Sequence, residues 1–252
     1  MLKNVSTSFS LWRKCIFCKS RHVNIDYDSR VRCNDCKKRY SLKKVKKDLR
    51  IIEMFSLEIS ARKASKHLKL SYNNVKSVYD KIRNLIYMRQ MEKERIMRWM
   101  IELDESYFWW RRKWNRWRWS DNKSIVFWIL ERSNDIYVTV VDSVSSETLM
   151  GEIAEKTEKW SVYYSDNWKS YNSLKHYWKH YKVNHSKTFV NWKNKNIHTN
   201  GIEWFWSYAK ERFAKYHWVS KNKFIYYLKE LEFRYNNRNA NIHKILASIF
   251  YS

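Results

Sequence analysis

HTNGIEWFWSYAKERF, residues 198–213, reads as a helix entered through a polar turn. Asn200 stands where an N-cap belongs, and Glu203 falls at the third helical position, which a capping box fills with Glu. Ile202, Phe205, Trp206, Ala209 and Phe213 recur at helical spacing and mark a buried stripe. Glu203 and Lys210 stand seven residues apart, two turns along one face. One carboxylate and one lysine on a shared face fit part of a reaction site. They equally fit a capping Glu and a surface Lys.

Two earlier segments bear on that choice. MIELDESYF (100–108) carries Asp104 inside an apolar run that reads as a strand, and WSVYYSDNW (160–168) carries Asp166 at the end of another. The chain therefore holds two strand-borne aspartates and a helix-borne glutamate, with 36 residues between Asp166 and Glu203. Three carboxylates brought together hold two divalent metals, which activate an attacking oxygen and stabilise a leaving one in phosphoryl transfer. Magnesium suits such ligands and keeps several waters.

The segments ELDESYF, YSDNWKSY and HTNGIEWFWSYAK, followed by FRYNNRN, resemble the catalytic core of a DDE transposase, nearest to the Merlin superfamily and its bacterial insertion-sequence relatives. The resemblance covers roughly residues 98–240 and extends to the cysteine-bearing start. It implies an RNase H-like α/β (α+β) catalytic domain, with Asp104, Asp166 and Glu203 as ligands for Mg2+ or Mn2+ and Lys210 as the basic residue following the glutamate. The chain departs from the family's pattern by placing Trp117, Trp128 and Trp204 where glycine is usual.

At 252 residues the chain has room for one enzyme domain and small appendages. Its boundaries are read as 1–42, a zinc-ribbon-like module; 43–97, a helix-turn-helix and linker helix; and 98–252, the catalytic domain. The 51 basic against 25 acidic residues leave a net charge of +26, the footprint of a polyanionic partner. No amphipathic anchor or lipidation motif points to a membrane surface, no apolar run is long enough to span a bilayer, and the N-terminus lacks a signal-peptide core. There is no proline and there are two glycines, against average usage of about 5% and 7%.

All four cysteines lie between residues 12 and 40, as CxxC, fourteen residues, CxxC: Cys15, Cys18, Cys33 and Cys36. Two such knuckles present four thiolates to a structural zinc. The alternative, two disulfides, belongs to a secreted protein. Lysines and arginines surround the module, which reads as DNA-contacting or as purely structural.

LRIIEMFSLEI, SARKASKHLKL and SYNNVKSVYDKIRNLI then read as helices, with Ser60 and Ser71 as N-caps. Helix, short turn and a second helix rich in Tyr, Asn and Lys is the layout of a helix-turn-helix. Tyr72, Asn73, Asn74 and Lys76 would stand at the start of its recognition helix and reach base edges. An ordinary helical hairpin has the same layout.

From residue 98 the period switches to strands: three in succession, a helix (SSETLMGEIAEKTEKW), a fourth strand (SVYYSD), another helix, a short strand near VNHS and two terminal helices. FWWRRKWNRWRWS, between the first two strands, interleaves five tryptophans with five basic residues. Its aromatic faces suit exposed bases and its cations suit phosphates, with Arg111, Arg112 and Lys113 as the better DNA-binding candidates. A hairpin burying half its tryptophans fits as well.

The expected function is DNA transposition: cutting at terminal inverted repeats and joining to target DNA, by a homo-oligomer assembled on DNA without a membrane partner. The expected setting is DNA-associated: the nucleus if the host is eukaryotic, otherwise the cytoplasm or nucleoid. Two alternatives stay open, a decayed transposase that only binds DNA and an RNase H-like nuclease or resolvase.

Overall fold

The computed structural model describes residues 14–93, 95–109, 123–132, 135–176, 179–183, 198–215 and 219–252. The basic tryptophan-rich stretch, with Arg111, Arg112, Lys113 and Trp117, lies outside the described residues, as do residues 121–122, 133–134 and 184–197. The chain divides into two compact units: one runs to Ile86 and includes Asn239–Ser252, and the other is Tyr87–Arg238.

In the first unit, β1 (Val23–Ile25), β2 (Arg30–Cys33) and β3 (Arg39–Ser41) form a small antiparallel sheet in that order. Lys19 and Lys37, each following the second cysteine of its pair, have φ of 62° and 59°. Glycine usually supplies this left-handed turn; here lysine takes it. Next come α1 (Leu42–Ser56), α2 (Ala61–Leu68) and the start of α3 (Tyr72–Glu92). Ser60 Oγ caps α2 by accepting the Lys63 N–H at 3.4 Å, Ser71 Oγ accepts the Asn74 N–H at 3.3 Å, and Lys69 turns the chain between the helices with φ 54°. Ile51, Ile52, Phe55, Ala64, Leu68, Val75, Tyr79 and Ile82 form the shared core. Tyr79 stands edge-on to Phe55 and its hydroxyl donates to the Ile59 carbonyl at 2.8 Å. α7 (Ile242–Phe250) packs on α1 within this unit, burying Leu246, Ile249 and Phe250.

The second unit is built on five strands, β4 (Met100–Trp109), β5 (Lys123–Glu131), β6 (Ile136–Val141), β7 (Val162–Asp166) and β8 (His180–Val183). Their order is β6-β5-β4-β7-β8; the first three are antiparallel neighbours, and β7 and β8 run parallel to β4. This is the RNase H-like arrangement. β8 ends at Val183, so the short strand expected near VNHS comes a few residues earlier.

Period-2 alternation sends each strand's residues to two cores. Ile101, Leu103, Phe127, Ile129 and Tyr163 pack under α4 (Ser146–Lys156) and the 3-10 helix Lys169–His176. Val126, Trp128, Leu130 and Val138 pack under α5 (Asn200–Lys215) and α6 (Lys221–Asn236). Trp128, one of the glycine-to-tryptophan departures, fills the space beneath α5, 5.0 Å from the Phe205 ring and 4.2 Å from that of Trp206. The open edge of β6 is closed by α6. Glu232 accepts the Val138 N–H at 3.1 Å, and Asn236, from the FRYNNRN motif, exchanges two bonds of 2.8 Å with the Ile136 backbone. A paired edge offers no template to another chain. Among the described residues no helix is long and apolar enough to cross a membrane.

Candidate functional site

In β4, Ile101 and Leu103 belong to the α4 side, so alternation points Glu102 and Asp104 toward α5. The parallel ladder pairs Leu103 with Ser165, and one step further brings Asp104 beside Asp166 at the end of β7. Asp104 accepts the Trp206 indole N–H at 2.6 Å and the Glu105 backbone N–H at 2.9 Å. Its carboxyl is pushed up to about 7, first by burial and then by the neighbouring charges of Glu105 and Asp166, against the pull of the Trp206 bond. Asp166 is exposed and takes the Asn167 N–H at 2.5 Å.

Glu203 occupies the first turn of α5. Asn200 is the first helical residue rather than the cap: the helix opens one residue earlier, with the Glu203 N–H on the Thr199 carbonyl at 3.1 Å. The Thr199 hydroxyl donates to Glu203 at 3.4 Å. His198, just ahead, is held below its usual pKa by partial burial and by Arg132. Lys210 lies one turn beyond Trp206, its Nζ 5.6 Å from the ring centroid, so Trp206 touches both Lys210 and Asp104.

Asp104 and Asp166 thus sit within electrostatic reach, and Trp206 joins the Glu203 helix to Asp104. The three carboxylates are not drawn into one tight group: among the described residues, only the four cysteines form a metal-sized cluster.

Two carboxylates in this region were not singled out by sequence. Glu102 is fully buried, accepting the Ile202 N–H at 2.9 Å and the Arg132 Nε–H at 2.7 Å. Its signal was parity, since in a strand it shares a face with Asp104. Glu105, on the opposite parity, receives the hydroxyl of the buried Tyr171, and burial raises its pKa. Tyr171 belongs to the YSDNWKSY segment, five residues past Asp166.

The cysteines come together as their spacing requires. The Sγ atoms of Cys15, Cys18, Cys33 and Cys36 all lie within 4.8 Å of one another, with Cys15–Cys36 at 3.7 Å and Cys18–Cys33 at 3.5 Å. A tetrahedral zinc with bonds of about 2.3 Å sets sulfurs about 3.8 Å apart. The thiols are unpaired by disulfides, and this grouping fits a four-thiolate zinc site.

At the start of α3, Tyr72, Asn73 and Asn74 are exposed, and Lys76 is engaged by Asp80 at 2.8 Å.

The profile of a family described as ISXO2-like transposase domain matches residues 98–236. A Haemophilus influenzae protein described as an uncharacterized transposase-like protein is 40% identical over 103 residues, which cover 40% of this chain and 81% of that protein. Two solved structures of the Mos1 system, a strand transfer complex and a pre-cleavage transpososome, align over 80% of this chain and 77% and 78% of theirs. Their identities are 10% and 9% and both TM-scores are 0.24, too low to carry an argument.

Proposed function

Because this chain belongs to the ISXO2-like transposase family, we propose that it cuts DNA at transposon ends and joins the freed ends to target DNA, with Asp104, Asp166 and Glu203 as the DDE set. The carrying observation is the state of Asp104. Burial, with the neighbouring charges of Glu105 and Asp166, disfavours a lone negative charge on Asp104 and pushes its carboxyl up to about 7, a cost that a hard divalent cation would relieve.

Carboxylate oxygens suit Mg2+ or Mn2+, and two such ions would supply charge to the attacking and leaving oxygens of an in-line displacement. The chain's own groups do the rest. Trp206 and the Glu105 backbone N–H each hold one oxygen of Asp104 and so fix the orientation of its carboxyl. Glu203 approaches from the first turn of α5, where the helix N-terminus favours negative charge. Lys210, one turn beyond Trp206, holds a phosphate oxygen of the bound strand. Water attacks the phosphodiester at the transposon end and releases a 3′ hydroxyl, which attacks the target phosphodiester in turn.

Cys15, Cys18, Cys33 and Cys36 would hold a structural zinc. α2 and α3 would act as a helix-turn-helix that reads the terminal repeat through Tyr72, Asn73 and Asn74. Arg111, Arg112 and Lys113 would add phosphate contacts. A charge of +26 suits this polyanion, and two ends brought together require more than one copy of the chain on DNA.

The test is cleavage of a labelled transposon-end duplex in magnesium, beside a binding assay on the same DNA. Asp104→Asn, Asp166→Asn and Glu203→Gln should each abolish cleavage and strand transfer while binding survives, and double variants should be little worse than singles, as for groups acting as a unit. A Glu203→Gln protein that cleaves like wild type would remove Glu203 from the site. Wild type that binds ends but never cuts them would leave a DNA-binding protein only.

A further inference from the structure

We propose that Glu102 is a positioning residue: it ties the strand that carries Asp104 to the N-terminus of the helix that carries Glu203, and so sets the spacing of those two carboxylates. The proposal rests on the DDE reading above.

The first N–H groups of a helix have no partner within it, and the N-cap side chain commonly supplies one. α5 is arranged otherwise. The Thr199 hydroxyl is turned to Glu203, and the Ile202 N–H is taken by Glu102 from the neighbouring strand at 2.9 Å. The second oxygen of Glu102 accepts from Arg132 Nε at 2.7 Å. Arg132, just past β5, also donates to the His198 carbonyl and lies flat against Tyr164, 3.7 Å from its ring centroid. One fully buried carboxylate therefore holds the chain on the helix side of residue 200, while its partner guanidinium holds the chain ahead of it.

The approach leaves no slack. Gly201 stands where an added Cβ would come 2.7 Å from Leu130 Cδ2 and 3.0 Å from Glu102 Oε2, and both of those side chains are buried. In a chain with two glycines, one occupies the contact between Glu102 and the helix start. Glu102 is two residues before Asp104, and the residue whose N–H it accepts, Ile202, is one residue before Glu203. A buried ion pair is a poor route to stability, since apolar replacements are often neutral or better. What it supplies here is a fixed distance.

The test uses full-length protein with the cysteine site kept filled by zinc. Mn2+ affinity is measured by calorimetry, thermal melting alongside it, and kcat and KM for end cleavage on the same preparations. Glu102→Gln offers one acceptor oxygen to two donors and releases the helix start. It should weaken Mn2+ binding about ten-fold or more, the usual scale for a partner behind a ligand, and lower kcat with KM for DNA unchanged. Glu230→Gln is the matched control. It breaks another buried pair of the same unit, Glu230 with Arg234 at 2.9 Å, away from the start of α5. It should lower the melting temperature comparably yet keep wild-type Mn2+ affinity. Gly201→Ala provides a second variant, because Ala itself favours helix; it crowds Glu102 from the other side and should reproduce the ten-fold loss. Wild-type Mn2+ affinity in either folded site variant overturns the proposal, and so does an equal loss in Glu230→Gln, which would make affinity a mere reflection of stability. Glu203→Gln runs in parallel: if it too retains wild-type Mn2+ affinity, the DDE assignment itself fails, separately from the role of Glu102.

Discussion

The indole Nε1 of Trp206 donates to Asp104 Oδ2 across 2.6 Å, joining the Glu203 helix to the central strand. Hydrogen bonds to charged groups contribute about 1.5–3 kcal/mol. Trp206→Phe keeps a ring against Trp128 and Phe108 but removes the donor. End cleavage should fall about ten-fold or more, while binding to the same duplex stays at the wild-type level. Unchanged cleavage rates in Trp206→Phe would show that the bond does not orient Asp104.

Zinc removal should unfold the cysteine module first. Its core rests on Cys15, Ile16, Val31 and Cys33, too little to hold a fold alone. Elemental analysis should find one zinc per chain. Chelation should release four reactive thiols and weaken end binding, and Cys33→Ser should do the same. A chelated protein with unchanged dichroism and unreactive thiols would refute the metal centre.

His180 gives the catalytic unit an acid sensitivity. Its Nε2 lies 2.8 Å from Ser165 Oγ, and burial, with Lys182 nearby, pulls its pKa from 6.5 down to about 4. Between those values the unfolded chain binds a proton that the folded one does not, so stability rises with pH there. The contribution is complete above pH 6.5 and is lost as pH falls toward about 4. His180→Gln should therefore lose less melting temperature than wild type between pH 7.5 and pH 5, the comparison cancelling other titrating groups. Parallel curves for the two proteins would rule this out.

Trp99 precedes β4 with φ 68° and is 78% exposed. The left-handed region costs an L-residue about 1–2 kcal/mol, and glycine's extra chain entropy offsets roughly 0.5–1 of that. Trp99→Gly should thus raise the unfolding free energy by up to about 1.5 kcal/mol, since the bond from the Val162 N–H to its carbonyl, 2.6 Å, is kept. Denaturant unfolding measures this, and a destabilised Trp99→Gly would show that the exposed indole has a packing role.

The strand alternation around Asp104, the stripe of α5 and the CxxC pairs were legible because period and spacing are local properties. So were the serine caps of α2 and α3. The first helical residue of α5 was misplaced by one, because Thr199 and Asn200 both suit a cap and the deciding contact comes from Glu102, a hundred residues away. The motif YSDNWKSY shows Tyr171 without its partner, since its bond to Glu105 crosses from the 3-10 helix to β4. α7 reads as one more amphipathic helix. Nothing in its own sequence says that its apolar face meets α1, and the structure groups it with the first unit.

Gly201 bears on the history of the gene. Lys19, Lys37, Lys69 and Trp99 take left-handed turns that glycine would take more cheaply, and an added Cβ at Gly151 would meet open space. At such positions the choice between glycine and another residue changes stability only in small steps. At residue 201 the substitution would strike the carboxylate that seats the Glu203 helix, so the loss there is abrupt. Purifying selection acts on such a position only while the gene's product is in use. Comparison of related sequences should find codon 201 held fixed while the codons of the left-handed turns vary.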